Sequence, residues 1–150
     1  MALALNMNVE ASFAQWPMSV LEWQGAEDPS VLVADDDEGV RDLISVKLEN
    51  AGYRVITAEN GSTALDLVLR ERPDAVILDV SMPGRDGLSV CHEMHSTADT
   101  ARIPVLMVSG RTGRADINLG YTAGADDYLV KPFKPADLLR RLRLLLLAGH

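Results

Sequence analysis

Five short apolar runs at regular intervals constrain this chain more than any other feature. They are residues 31–34 (VLVA), 53–57 (YRVIT), 75–78 (AVIL), 104–108 (PVLMV) and 127–130 (DYLV). The runs at 31–34, 75–78 and 104–108 are too short for buried helices and rich in β-branched residues, so they read as strands buried on both faces. Residues 53–57 alternate and carry Arg54, which suits a sheet edge. Between the runs, apolar residues recur at helical spacing. They are Val40, Leu43, Ile44 and Leu48 in a helix through Asn50, then Ala64, Leu65, Val68 and Leu69 in 61–70. Leu88, Cys91 and Met94 follow in 86–95, Ile117, Leu119 and Tyr121 in 112–123, and a leucine-rich stretch in 135–147. Gly52 and Gly124 end two of these helices, and Pro73 follows a third. Strict alternation of strand and helix predicts an α/β fold, a doubly wound five-stranded parallel sheet with helices on both faces. Of the doubly wound strand orders, five strands favour 2-1-3-4-5.

Length and charge narrow the reading. With 150 residues and 47% hydrophobic content, the chain can close one domain around a sizeable core. A net charge of −8 argues against direct nucleic-acid binding and permits cations. The single cysteine, Cys91, allows no internal disulfide and fits a reducing compartment, where it reads as a small buried apolar residue. No apolar run approaches membrane-spanning length, and the first basic residue is Arg41, unlike a signal peptide, so a cytoplasmic location is expected. Residues 1–29 differ from the rest. They hold Trp16, Trp23 and Phe13, four acids and no basic residue, and Pro17, Gly25 and Pro29 interrupt any long helix. They are read as a poorly ordered N-terminal extension before a domain at 30–149, the alternative being a short amphipathic segment that docks on the domain or a partner.

The polar residues land on one edge. Run 31–34 ends in Asp35-Asp36, run 75–78 in Asp79, run 104–108 in Ser109 and run 127–130 in Lys131. In a parallel sheet all carboxyl ends share an edge, so three acids, a hydroxyl and an amine meet in one crevice. Asp37 and Glu38 read instead as favourable charges at the start of the following helix. Two carboxylates about 4 Å apart repel by roughly 1 kcal/mol in water and about 4 kcal/mol at an effective dielectric of 20. Converging acids therefore need a cation, or one of them must hold a proton. Oxygen ligands with few protein contacts suit Mg²⁺. A hard cation, an ammonium and a hydroxyl around one carboxylate form a site for phosphoryl transfer, in which the carboxylate is the nucleophile.

The pieces VLVADDDEGVRDLI, VILDVSMPGRDGL, PVLMVSG and GADDYLVKPF resemble, in order and spacing, the receiver domain of the two-component response regulator family. The resemblance implies a (βα)5 flavodoxin-like receiver and a phosphorelay role. It implies that Asp79 is the phospho-acceptor and that Asp35, Asp36, Asp79 and the backbone carbonyl of Ser81 hold Mg²⁺. Ser109 takes the position that contacts the phosphoryl group, Lys131 the one that pairs with phosphate, and Ser109 with Tyr128 forms the switch pair. The bond from Lys131 to Pro132 is expected to be cis. Ser81 and Arg111 occupy positions that resemble the family's tuners of phosphate lifetime. The implied partner is a histidine kinase or a phosphotransfer protein, and the implied response is a changed surface on the fourth helix, fifth strand and fifth helix. The surplus of leucines in 135–147 adds the expectation of a homodimer through that surface.

Three other readings fit less well. A Mg²⁺-dependent aspartyl phosphohydrolase typically needs a second acid two residues after the nucleophile, where this chain has Ser81. A nucleotide or flavin binder wants an anion-accepting Gly-rich first loop, and here that loop is three aspartates. A degenerate receiver used only for docking would not need the full acceptor set. The chain is read as a signalling domain that catalyses only its own phosphorylation and dephosphorylation.

Overall fold

The computed structural model of the protein describes residues 28–148. Within them strand and helix alternate as β1 (Ser30–Ala34), α1 (Glu38–Asn50), β2 (Arg54–Ala58), α2 (Gly61–Glu71) and β3 (Ala75–Asp79). The series continues with α3 (Gly87–Ser96), β4 (Val105–Ser109), α4 (Arg114–Ala123), β5 (Asp127–Val130) and α5 (Pro135–Ala148). The strands form one parallel sheet in the order β2-β1-β3-β4-β5, as the alternation predicts.

The period-2 geometry of the strands splits the core into two layers. Val31, Val33, Ile77, Leu106 and Val108 point to the face covered by Ile44 and Leu48 of α1 and by Leu138, Leu142 and Leu146 of α5. Leu32, Val76, Leu78 and Met107 point the other way, against Ala64 and Val68 of α2 and Val90, Cys91 and Met94 of α3. Each fully buried Leu or Val contributes about 1.5–3 kcal/mol. Burial, with a smaller push from Asp126, lifts the Cys91 thiol to about 12, as suits an inert packing residue.

Asp37, Asn60 and Asp86 cap α1, α2 and α3, each accepting a backbone N–H from the first turn. Glycine is required where α3 begins: a Cβ on Gly87 would lie 2.2 Å from the Asp79 carbonyl oxygen. The first turn of α3 is thereby drawn against the end of β3.

Several boundaries and faces differ from the sequence reading. β2 is Arg54–Ala58 rather than 53–57. Tyr53 belongs to the turn, its N–H donating to the Leu48 carbonyl, and the Arg54 N–H reaches the Pro29 carbonyl at 2.9 Å. α4 starts at Arg114, two residues later than expected, and Gly113 gives it no side-chain cap. Leu119 and Tyr121, expected to face inward, are 53% and 46% exposed. The inward face is Ile117, Gly120 and Ala123, because the Tyr128 ring lies against Gly120, 2.9 Å from where a Cβ would stand. Leu43 and Leu69 also turn outward, and the inward places on those helices go to Ile44, Leu48, Leu65 and Val68. Of the leucines in α5, Leu138, Leu142 and Leu146 are buried, Leu139 and Leu145 pack against the core, and Leu144 is exposed. Leu147 is half-buried, so the surplus is divided between the core, which takes Leu139 and Leu145, and the surface, where Leu144 stands. The extension reading falls on residues 1–27, outside the described residues; of the rest of it, Asp28 is exposed and Pro29 buried.

Candidate functional site

The carboxyl edge of the sheet gathers the residues singled out from the sequence. Asp35 follows β1 directly, and its N–H donates to the Ala58 carbonyl at 3.1 Å, which fixes the chain beside β2. Its side chain is buried and its Oδ1 accepts the Asp37 N–H at 2.9 Å. Asp36 is exposed. Asp79, the last residue of β3, is buried, and its Oδ1 accepts the Ser81 N–H at 3.3 Å. One carboxylate oxygen from each of Asp35, Asp36 and Asp79 lies within 4.8 Å of the others. Ser81 is exposed in the loop after β3. The Lys131 ammonium stands 2.9 Å from Asp35 Oδ2 and 3.5 Å from Asp79 Oδ2. The peptide bond from Lys131 to Pro132 is cis.

This geometry sets the charges. Burial raises the Asp79 carboxyl, the Asp35 charge raises it further, and Lys131 and the Ser81 N–H only partly offset them. The result is about 6 rather than 3.8. Burial alone would lower the Lys131 ammonium, but its hydrogen bond to Asp35 and the charges of Asp79 and Asp35 outweigh that and raise it. Without a further cation the pocket holds a strained pair of acids bridged by one lysine. Three convergent oxygens, two of them on buried side chains, suit a hard divalent ion.

Ser109 ends β4, almost fully buried. Its Oγ accepts the Arg111 N–H at 3.0 Å, while the Arg111 carbonyl accepts the Tyr128 hydroxyl at 3.0 Å. The backbone of Arg111 thus joins Ser109 to Tyr128. The resemblance pairs these two residues but does not show the backbone that links them. Two further contacts have no counterpart in the sequence reading. Arg41 donates to the Asp35 carbonyl at 2.8 Å, one turn into α1. Asp127 accepts Arg141 at 2.9 Å and lies 3.4 Å from the Tyr121 hydroxyl, tying α4, β5 and α5 together.

A doubly wound domain with acids, a hydroxyl and an ammonium at its carboxyl edge defines a receiver-type signalling domain. Residues 31–143 match the response regulator receiver domain, and the chain belongs to that family. It is 47% identical over 116 residues to response regulator MprA of Mycolicibacterium vanbaalenii, covering 77% of this chain and 49% of that protein. The chain therefore spans about half the length of the curated relatives it matches. Among solved structures it is similar to the chemotaxis response regulator CheY4 of Vibrio cholerae, with 34% identity, a TM-score of 0.75 and coverage of 79% and 98% of the two chains. It is also similar to the receiver domain of sensor histidine kinase PA1611 from Pseudomonas aeruginosa, which has a magnesium ion coordinated in its active-site cleft. There the identity is 30% and the TM-score 0.75, with coverage of 79% and 98%. Among the described residues no helix is long and apolar enough to cross a membrane.

Proposed function

We propose that this receiver domain takes a phosphoryl group from a phosphohistidine on a histidine kinase or phosphotransfer protein onto Asp79. An Oδ of Asp79 attacks phosphorus, the phosphorus–nitrogen bond of the donor breaks, and an acyl phosphate forms on the carboxylate. Asp35, Asp36, Asp79 and the Ser81 carbonyl are the residues that would hold Mg²⁺, which supplies positive charge to the phosphoryl oxygens. Lys131 is already within reach of Asp79 and pairs with the added negative charge. Ser109 turns to donate its hydroxyl to the phosphoryl oxygen, and in turning its Oγ leaves the Arg111 N–H. That movement frees the Arg111 backbone, and with it the carbonyl that anchors the Tyr128 hydroxyl. The convergence of three carboxylates and one ammonium on a single edge carries this reading.

The surface that would respond is α4, β5 and α5, where Leu119, Tyr121 and Leu144 are exposed around the Asp127–Arg141 pair. A homodimer through this face follows as part of the proposal, in a cytoplasmic setting where kinase domains act. Incubation with a small phosphodonor tests the reading by intact mass. One phosphoryl addition with Mg²⁺ and none in chelator is the expected result, and addition that ignores chelator would overturn it.

A further inference from the structure

Opposite the acid cluster, at the amino edge of the sheet, lies a concavity of about 230 Å³. Pro73, Ala98, Ile103, Pro104 and Leu146 give it a mainly apolar lining, and Arg102 stands at its rim. Arg102 is exposed and pairs with no acid among the described residues, whereas the neighbouring Asp99 is held by Arg72 at 2.8 Å. The chain enters the fold at this same edge. The Ser30 N–H donates to Asp74 Oδ2 at 2.7 Å, and the Asp74 N–H returns to the Ser30 carbonyl at 2.8 Å. Asp74 is itself part of the wall of the concavity. The described chain, which starts at residue 28, therefore begins beside it.

The segment that precedes it in sequence, 1–27, has the chemistry to fill the concavity. It carries Phe13, Trp16, Val20, Leu21 and Trp23, together with Glu10, Glu22 and Glu27 and no basic residue. Trp23 precedes Asp28 by five residues, a reach of at most about 18 Å in extended chain. An aromatic ring with acids near it in sequence complements an apolar hollow whose rim arginine meets no acid among the described residues. We propose that Trp23 seats in this concavity, with Glu22 or Glu27 facing Arg102, so that the N-terminal segment folds back onto its own domain and covers the last turn of α5. The partner is this chain's own extension, not a second molecule.

Both tryptophans of the chain lie in the extension, so tryptophan fluorescence reports on it alone. The full chain with Trp16→Phe leaves Trp23 as the sole reporter. The expected emission is blue-shifted against the same chain in denaturant, with acrylamide quenching roughly halved and no dependence on protein concentration. Adding Ala98→Glu and Arg102→Glu at the lining and the rim should move emission and quenching toward the denatured values while the far-ultraviolet circular dichroism stays unchanged. A denatured-like Trp23 in the folded chain overturns the proposal. So does a shielded Trp23 that the two substitutions leave unmoved, or shielding that appears only as concentration rises. None of these readouts involves phosphorylation, so their failure leaves the function of Asp79 untouched.

Discussion

Lys131 bridges two buried acids, its Nζ standing 2.9 Å from Asp35 Oδ2 and 3.5 Å from Asp79 Oδ2. From sequence it reads as a charge at a strand end, free to meet a phosphate. The structure gives it a second duty, because it neutralises carboxylates that have little contact with water. Removing one partner of such a group leaves an uncompensated buried charge.

Lys131→Ala should therefore destabilise the fold as well as weaken the response to phosphodonor. The expected loss is roughly 1–3 kcal/mol in chelator, below that of a fully buried pair because the lysine is partly exposed. Saturating Mg²⁺ should recover part of it. Urea unfolding with and without Mg²⁺ measures both, and an unchanged midpoint in chelator would contradict the bridging role.

Asp79→Asn should stabilise the metal-free domain, and the gain should depend on pH. The Asp79 carboxyl stands at about 6 in the fold against 3.8 unfolded. Between those values the folded state holds the extra proton, so the contribution of Asp79 to stability falls as pH rises from about 4 through 6. Asn cannot ionise. The variant should match wild type near pH 4 and exceed it by on the order of 2 kcal/mol at pH 7. Denaturant titrations in chelator at the two pH values check the sign. Equal stability at both would remove the strained acid pair, while saturating Mg²⁺ should narrow or reverse the gap at pH 7.

Asp36→Asn separates metal binding from folding. Asp36 is exposed, so its replacement should change metal-free stability by less than about 0.5 kcal/mol. The gain in melting temperature that Mg²⁺ gives wild type should shrink markedly. A full Mg²⁺ response in the variant would take Asp36 out of the ligand set.

Tyr128→Phe removes the hydroxyl that holds the Arg111 carbonyl, at a cost of about 1 kcal/mol. Phosphodonor should still load the domain. What should fail is the transmission from Ser109 to α4, β5 and α5, read as phosphorylation-induced association by light scattering. Wild-type association in the variant would show that the Arg111 peptide does not couple the two side chains.

The sheet was legible because its strands are buried on both faces, and continuous apolar runs of four or five residues between turn signals fit little besides a central parallel strand. The edge that collects Asp35, Asp79, Ser109 and Lys131 followed from the parallel order alone. Helix faces were harder. In α4 the apolar residues Leu119 and Tyr121 suggested the inward side, yet contact is made by Gly120, whose missing side chain admits the Tyr128 ring. A residue that packs by absence leaves no hydrophobic signal. The leucines of α5 divide between both sides: Leu139 and Leu145 join the core beside the buried Leu138, Leu142 and Leu146, while Leu144 is exposed. The Ser109–Arg111–Tyr128 link escaped because it runs through main-chain atoms, which sequence does not distinguish.

The central claim is that Asp79 accepts the phosphoryl group with the help of its acidic neighbours. The most direct test is to load the domain with a small phosphodonor in Mg²⁺, reduce the acyl phosphate with borohydride and map the altered residue by peptide mass. The expected result is modification at Asp79 alone, abolished by chelator and absent in Asp79→Asn. Modification mapped to another residue, or persisting in Asp79→Asn, would contradict the account.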